Sequence, residues 1–322
     1  MTFSRREFGR RAFGIVPAAL VGGRRPSAAA AAQAKPDSLV AGVQIGLNVP
    51  FNFGSNTMSA DEVLARCLRL GVSAVELRAQ PVEAFLGVSP ALVAAAAGRS
   101  GRGPRTTAEV AAEEEAAATL RQWRIGVPMR RVRAFRRRFE EAGVRIEIVK
   151  FDGIYRRADD ELDYCFELAR NLGARAISCE IDGAETKRLG QVADRHRLMV
   201  GYHGHAETTP AHWIEAFGQA RYNGANVDIG HFVAGNNLSP IPFLIDHHER
   251  VTHIHIKDRR RKNGPNVPFG HGDTPIVETL RLIRDRRWPI QATIEFEYPI
   301  PPESDRMVEI AKCIEYCRRA LS

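Results

Sequence analysis

No histidine precedes His196 in this chain of 322 residues, so any site built on imidazoles must draw them from the second half. Cysteine is scarce as well. The five residues, Cys67, Cys165, Cys179, Cys313 and Cys317, include no CxxC pair, which argues against a thiolate zinc framework, and an odd number cannot all be bridged within one chain. They are expected to be buried thiols; Cys313 and Cys317, one helical turn apart, have the spacing to face one another or simply to pack in a helix. Long apolar runs are lacking too, and the one short run near the start, Ala12 to Gly23, cannot span a bilayer. The chain does have charge, at a formal +8, and its distribution matters more than its sum.

Residues 1–34 read as an export address rather than part of the fold. Paired arginines in Ser4 to Arg10 precede that apolar run, and a small-residue tract ends in Ala32-Gln33-Ala34, a sequence of the kind signal peptidase cuts. The segment resembles a twin-arginine signal, which carries folded proteins, and it implies a mature chain from Lys35, periplasmic or otherwise exported and without stable membrane insertion. It holds six arginines and one glutamate, so its removal leaves a formal +3. A mildly basic mature chain gives little support to a nucleic-acid partner.

Residues 35–322 suit one domain of the size of a (β/α)8 barrel, typically about 250 residues. RLGVSAVELR, EAGVRIEIVK and NLGARAISCE each end a polar helix on glycine and pass directly into a β-branched run, as a helix-to-strand junction does. Arg78, Lys150 and Glu180 stand seven residues past those glycines and are therefore expected at equivalent strand ends. Eight strands are predicted, at about 40–47, 74–78, 144–150, 174–180, 197–203, 225–229, 251–257 and 290–296. Their alternation with helices, such as the one opened by the Ser59 and Glu62 capping box, predicts parallel pairing and closure into a TIM barrel over an open doubly wound sheet. Residues 87–127 break the pattern. This Ala- and Arg-rich insertion, with the stretch GRSGRGPRTT, reads as a solvated helix extending the outer ring rather than a lid in which Trp123 would be the contact.

Glu180 in ARAISCE, Asp228 in ANVDIGH, His255 in VTHIHIKD and Glu295 in QATIEFE then fall at strand ends on one face of the barrel. Three carboxylates and an imidazole suit one Mn²⁺, Mg²⁺ or Co²⁺ better than a thiolate-seeking ion, with zinc also compatible. Residues i and i+2 of a strand share a face, so His203 pairs with His205 and His253 with His255. His203, His231, Arg261 and Lys150 are expected to touch substrate oxygens or orient ligands. His253, deeper in its strand, is as well read as structural, and Asp258 as pairing with a nearby arginine.

On Glu180, the D-x-x-H of Asp228 and His231, the H-x-K-D of His255 to Asp258, Arg261, the GHGD of Gly270 to Asp273 and the IEFE around Glu295, nearly all of residues 35–322 resembles the xylose-isomerase-like barrel family. Its members include sugar epimerases, ketose isomerases and inosose dehydratases. The resemblance implies that Glu180, Asp228, His255 and Glu295 bind one ion, manganese foremost, and that Glu180 and Glu295 exchange protons with a carbohydrate from opposite sides. Proton removal next to a carbonyl gives an enediolate, whose charge a divalent ion stabilises. The GYHGH strand and the insertion depart from the sugar epimerases, so the substrate does not carry over. An alternative with the same first step is a lyase or dehydratase acting on a 3-keto-glycoside or an inosose, and export favours glycosides over sugar phosphates. The endonuclease-IV-like branch needs early histidines that this chain lacks. A non-catalytic exported binding protein is a further reading, and relatives suggest a homo-oligomer.

Overall fold

The computed structural model describes residues 35–97 and 105–322, so the expected export segment and residues 98–104 of the glycine-rich stretch lie outside the described residues. Among the described residues eight strands form the barrel: β1 Val43–Val49, β2 Ala74–Arg78, β3 Arg145–Lys150, β4 Ala176–Glu180, β5 Met199–His203, β6 Asn223–Asp228, β7 Val251–Ile256 and β8 Gln291–Ile294. Each pairs in parallel with the next, and β8 pairs with β1, which closes the sheet into a (β/α)8 TIM barrel. Gly71, Gly143 and Gly173, with φ of 66°, 86° and 83°, make the left-handed turns that deliver helices into β2, β3 and β4.

Two of the differences from the expected strand bounds have clear local causes. Leu39–Val40 is a separate antiparallel strand folded back on β1 through Ala41 and Gly42, both at positive φ. At the other end, Asn52 replaces the ladder beyond Ile294: its amide donates to the Ile294 carbonyl at 2.7 Å and its Oδ1 accepts from the Phe296 N–H at 2.9 Å.

Alternation along the strands separates two environments. Ile45, Leu47, Val75, Leu77, Ile177, Val227, Ile254 and Ile294 join the apolar layer between sheet and helices. The opposite positions, among them Asn48, Glu76, Ser178, Asn226, His253 and Thr293, are equally buried but fill the barrel with polar groups. Such an interior is expensive unless its members satisfy one another, so it concentrates hydrogen bonds and charge toward the strand ends.

The insertion forms two helices, Pro90–Ala97 and Thr107–Gly126, the second opened by a Thr106 and Glu109 capping box. Its second helix packs on the outer helix Asp159–Leu172. Its anchor is the buried Arg124, which sits between Glu83 at 2.8 Å and Glu161 at 3.0 Å. All five cysteines are buried and unbridged. Among the described residues no helix is long and apolar enough to cross a membrane.

Candidate metal centre

Four buried side-chain atoms converge at the C-terminal end of the barrel: His203 Nε2 from β5, Asp228 Oδ2 from β6, His255 Nδ1 from β7 and Glu295 Oε2 just past β8. They lie within 4.8 Å of one another; no hydrogen bond of good geometry reaches them, and the Lys257 ammonium pairs with two, Glu295 Oε2 at 2.7 Å and Asp228 Oδ2 at 3.0 Å. His255 Nδ1 is 3.2 Å from Glu295 Oε2 and 4.0 Å from Asp228 Oδ2, while His203 Nε2 is 3.5 Å from Asp228 Oδ2 and 3.8 Å from Glu295 Oε2. Ligands about 2.0–2.2 Å from one ion stand about 3–4 Å apart, so the set fits a single divalent cation that accepts nitrogen and oxygen.

Each atom is aimed by a partner on its other side. Asp228 ends β6 and caps the helix Ile229–Asn236, accepting the His231 N–H at Oδ1 (2.8 Å) and turning Oδ2 to the group. Glu295 accepts the Asn48 amide at Oε1 (2.8 Å) and presents Oε2. His255 Nε2 rests on Glu76 Oε2 at 2.5 Å, and His203 Nδ1 on Glu180 Oε2 at 2.7 Å. A carboxylate behind an imidazole fixes which nitrogen keeps its proton and which offers a lone pair.

Sequence reasoning placed Glu180 in the four-atom set and His203 beside it; the structure places His203 in the set and Glu180 behind it. Glu180 also takes Lys150 Nζ at 2.8 Å and His205 Nε2 at 2.7 Å. Burial raises its pKa, but the His203 ring and its hydrogen bond, then His205 and the Lys150 ammonium, outweigh this and hold the carboxyl well below the usual range. Its side chain is 45% exposed against 4% for Glu295, so Glu180 stands at the mouth and Glu295 in the wall.

Lys257 lies against the ring as an ion-pair partner, with Nζ 2.7 Å from Glu295 Oε2, 3.0 Å from Asp228 Oδ2 and 2.5 Å from Glu297 Oε2. Burial opposes its charge, but these carboxylates outweigh that and hold its pKa above the usual lysine range. A Cβ on Gly230 would lie 2.4 Å from Lys257 Cγ, so only glycine lets this helix start approach the lysine. His231 faces Lys257 Nζ at 3.0 Å through Nε2 and Arg259 Nη1 at 2.6 Å through Nδ1, and burial lowers its pKa to about 3, which makes it neutral.

Arg261 is not brought to this level. Its side chain is exposed and its N–H donates to Asp273 Oδ2 at 2.9 Å, whereas Arg259 reaches His231. Asp258, expected to pair with an arginine, instead accepts the N–H groups of Gly270 and Gly272, each at 2.8 Å, and of Thr274 at 3.2 Å. It thereby fastens the GHGD loop beside the site.

Sequence reasoning missed Glu76. It lies below the four atoms, fully buried, between His255 and His253 Nε2, the latter 3.3 Å from Glu76 Oε1. The signal was there in AVELR, a carboxylate inside an otherwise apolar strand. Burial raises the Glu76 pKa, and the rings of His255 and His253 reverse that and hold it well below the usual range. Conversely burial disfavours a charged His255, but Glu76 and Glu295 on either side push its pKa up to about 10. Burial pulls His253 down to about 4.

No family model matches the chain, and no curated protein matches it. Solved structures do. A xylose isomerase domain protein from Planctomyces limnophilus is 16% identical, with a TM-score of 0.57 over 86% of this chain and 97% of that one. D-psicose 3-epimerase with D-tagatose from Clostridium cellulolyticum H10 is 10% identical, with a TM-score of 0.58 over 87% and 100%. The probable 3-DHS dehydratase of petrobactin synthesis from Bacillus anthracis is 11% identical, with a TM-score of 0.56 over 85% and 99%. At these identities the likeness is one of fold: the chain is built on the same barrel as proteins described as epimerase, isomerase and dehydratase.

Proposed function

We propose that this chain is a divalent-cation-dependent enzyme that moves a proton next to a carbonyl of a carbohydrate, as a sugar isomerase or epimerase does. One observation carries the reading: two imidazole nitrogens and two carboxylate oxygens, all buried and offset only by the Lys257 ammonium, converge on the face where such barrels do chemistry. His203, Asp228, His255 and Glu295 would hold the ion, with manganese foremost and magnesium, cobalt or zinc compatible with the donor set. When bound, the ion supplies Lewis-acid polarisation of a substrate carbonyl.

The chain's own groups divide the remaining work. Glu180 and Glu295 flank the His203 ring and form the proposed proton-exchanging pair. The donors around Glu180 keep it ionised and able to take a proton, and also make it a weak base, which suits a C–H already acidified by a polarised carbonyl. Lys257 offers positive charge where negative charge develops on oxygen. His231 has Lys257 at one ring nitrogen and Arg259 at the other, so its part in this proposal is to hold those two cations in place. Lys150, Lys257 and Arg78 each already face a carboxylate, the last Asp152 at 2.7 Å, which favours an uncharged sugar over a sugar phosphate. The neighbour determined with D-tagatose supports a carbohydrate of this size.

A second reading, elimination from a 3-keto-glycoside or inosose, draws on the mouth of the site. There Glu180 holds the half-exposed His205, a ring placed to protonate a departing oxygen, and one structural neighbour is a dehydratase. Metal analysis of purified protein, followed by incubation with ketoses, inososes and 3-keto-glycosides in deuterated water, tests both by NMR. Deuterium in recovered sugar without elimination product supports isomerisation or epimerisation, and release of an aglycone supports the lyase. A protein that takes up no divalent ion would overturn both readings. Export by the twin-arginine route is part of the proposal; Arg5→Lys with Arg6→Lys should retain the chain in the cytoplasm.

A further inference from the structure

A fully buried carboxylate in the middle of a barrel strand needs a reason, because position 76 would ordinarily hold an apolar side chain and an uncompensated buried charge is costly. Glu76 spends both oxygens on histidines, Oε2 on His255 Nε2 at 2.5 Å and Oε1 toward His253 Nε2 at 3.3 Å. Only the first of these rings reaches the four-atom group. With Nε2–H donated downward to Glu76, the lone pair of neutral His255 sits on Nδ1, the atom that faces Asp228 and Glu295 and makes no hydrogen bond. The Asn226 carboxamide also lies against this Nε2, with its nitrogen at 3.0 Å, and accommodates an Nε2–H only with the amide turned so that its unpartnered Oδ1 faces the ring. His253 is held from the far side by Thr252 Oγ1 at 2.8 Å, so Glu76 is braced between one ring that is fixed and one that serves the site.

We propose that Glu76 is a positioning residue of the cation site: it selects Nδ1 of His255 as the ligand atom, locks the ring plane, and by its charge makes that nitrogen a stronger donor. The inference rests on the reading that His203, Asp228, His255 and Glu295 hold a divalent ion. It distinguishes the two histidine ligands, since His255 is backed by a dry carboxylate that substrate does not reach, whereas the carboxylate behind His203 is open to the mouth.

Glu76→Gln tests this, because glutamine keeps the volume and one acceptor oxygen while removing the charge. Mn²⁺ binding is followed by the electron paramagnetic resonance of the free ion, and the ligand field by the visible spectrum of the Co²⁺ form. Glu76→Gln is expected to weaken Mn²⁺ binding about 10–100-fold and to shift the Co²⁺ bands, with the circular dichroism of the metal-free protein unchanged. Glu76→Leu, which also removes the acceptor, should weaken binding further. Asp228→Asn is the control for the site itself. Wild-type affinity and spectrum in Glu76→Gln, alongside lost binding in Asp228→Asn, would overturn the role of Glu76 and leave the site standing. Wild-type affinity in Asp228→Asn would overturn the site, and the inference with it. If Glu76→Gln does not fold, the Co²⁺ spectrum of Glu76→Asp decides: bands identical to wild type would overturn the proposal.

Discussion

His203 Nδ1 lies 2.7 Å from Glu180 Oε2, and the other nitrogen of the same ring faces the oxygens of Asp228 and Glu295. Glu180 thus acts on the centre through a ring, and its carboxylate is left at the mouth where substrate arrives. Ligand and proton acceptor should therefore separate under mutation. Glu180→Gln is expected to lower turnover by about two to four orders of magnitude, as loss of a general base does, while weakening Mn²⁺ by no more than about 100-fold. His203→Ala should lose most of the metal affinity. Titration of both variants with Mn²⁺ checks this, and equally severe loss in the two would make Glu180 itself a ligand.

Ion binding should also be visible as stability. A ligand that binds only the folded state adds about 2.7 kcal/mol at a hundred times its dissociation constant, so Mn²⁺ should raise the thermal midpoint of chelator-treated protein in a concentration-dependent way. Glu295→Gln removes a ring oxygen's charge while Lys257 keeps Asp228 and Glu297 as partners. Its metal-free midpoint should lie near that of wild type, and its Mn²⁺-dependent rise should vanish. A full rise in Glu295→Gln would remove that carboxylate from the site.

Phase is what the sequence conveys well. The glycines at 71, 143 and 173 put Arg78, Lys150 and Glu180 at equivalent strand ends, and the structure brings Lys150 and Glu180 to 2.8 Å. Alternation also says which face a side chain takes, but not how far it turns once there. His203 and Glu180 end adjacent strands on the same face, and only their tertiary neighbours decide which of them enters the ring. Arg261 was illegible for a different reason. The hairpin from Asp258–Arg259 to Asn266–Val267 reverses through Lys262 and Asn263, both in the left-handed region, which carries Arg261 to the solvent side and leaves Arg259 within. Glu76 was legible only as an oddity in an apolar strand, because its partners come from β7, distant in sequence.

The metal-free protein should have a peaked pH–stability profile. His253 has a folded pKa of about 4 against about 6.5 unfolded, so its contribution is complete above about pH 6.5 and is lost as pH falls through 4. His231, pulled to about 3 by burial, extends that acid limb. His255 acts in the opposite sense: with a folded pKa of about 10, its contribution is complete below about pH 6.5 and is lost as pH rises toward 10. The midpoint in chelator is therefore expected to fall on both sides of about pH 6.5. Saturating Mn²⁺ should flatten the alkaline limb, since the ion takes the position of the proton on Nδ1. A midpoint that climbs steadily from pH 6.5 to 9 in chelator would show that His255 is neutral there.

Arg124 tests whether the insertion is structurally tied to the barrel without governing the site. Its guanidinium lies buried between Glu83 and Glu161, and Tyr164 Oη donates to the same Glu83 at 3.3 Å. Burial opposes a charge on this guanidinium, and the two carboxylates more than restore it, so the three groups depend on each other. Arg124→Met keeps much of the volume but strands two buried carboxylates, which should cost about 3–5 kcal/mol, read as a lower urea midpoint with an unchanged slope. Adding Glu83→Gln and Glu161→Gln should restore most of that loss, because the penalty comes from unpaired charge rather than from the missing arginine. Mn²⁺ affinity should be the same in all three proteins. If the triple variant is no more stable than Arg124→Met, the cost lies in packing of the insertion helix and the ion network is incidental.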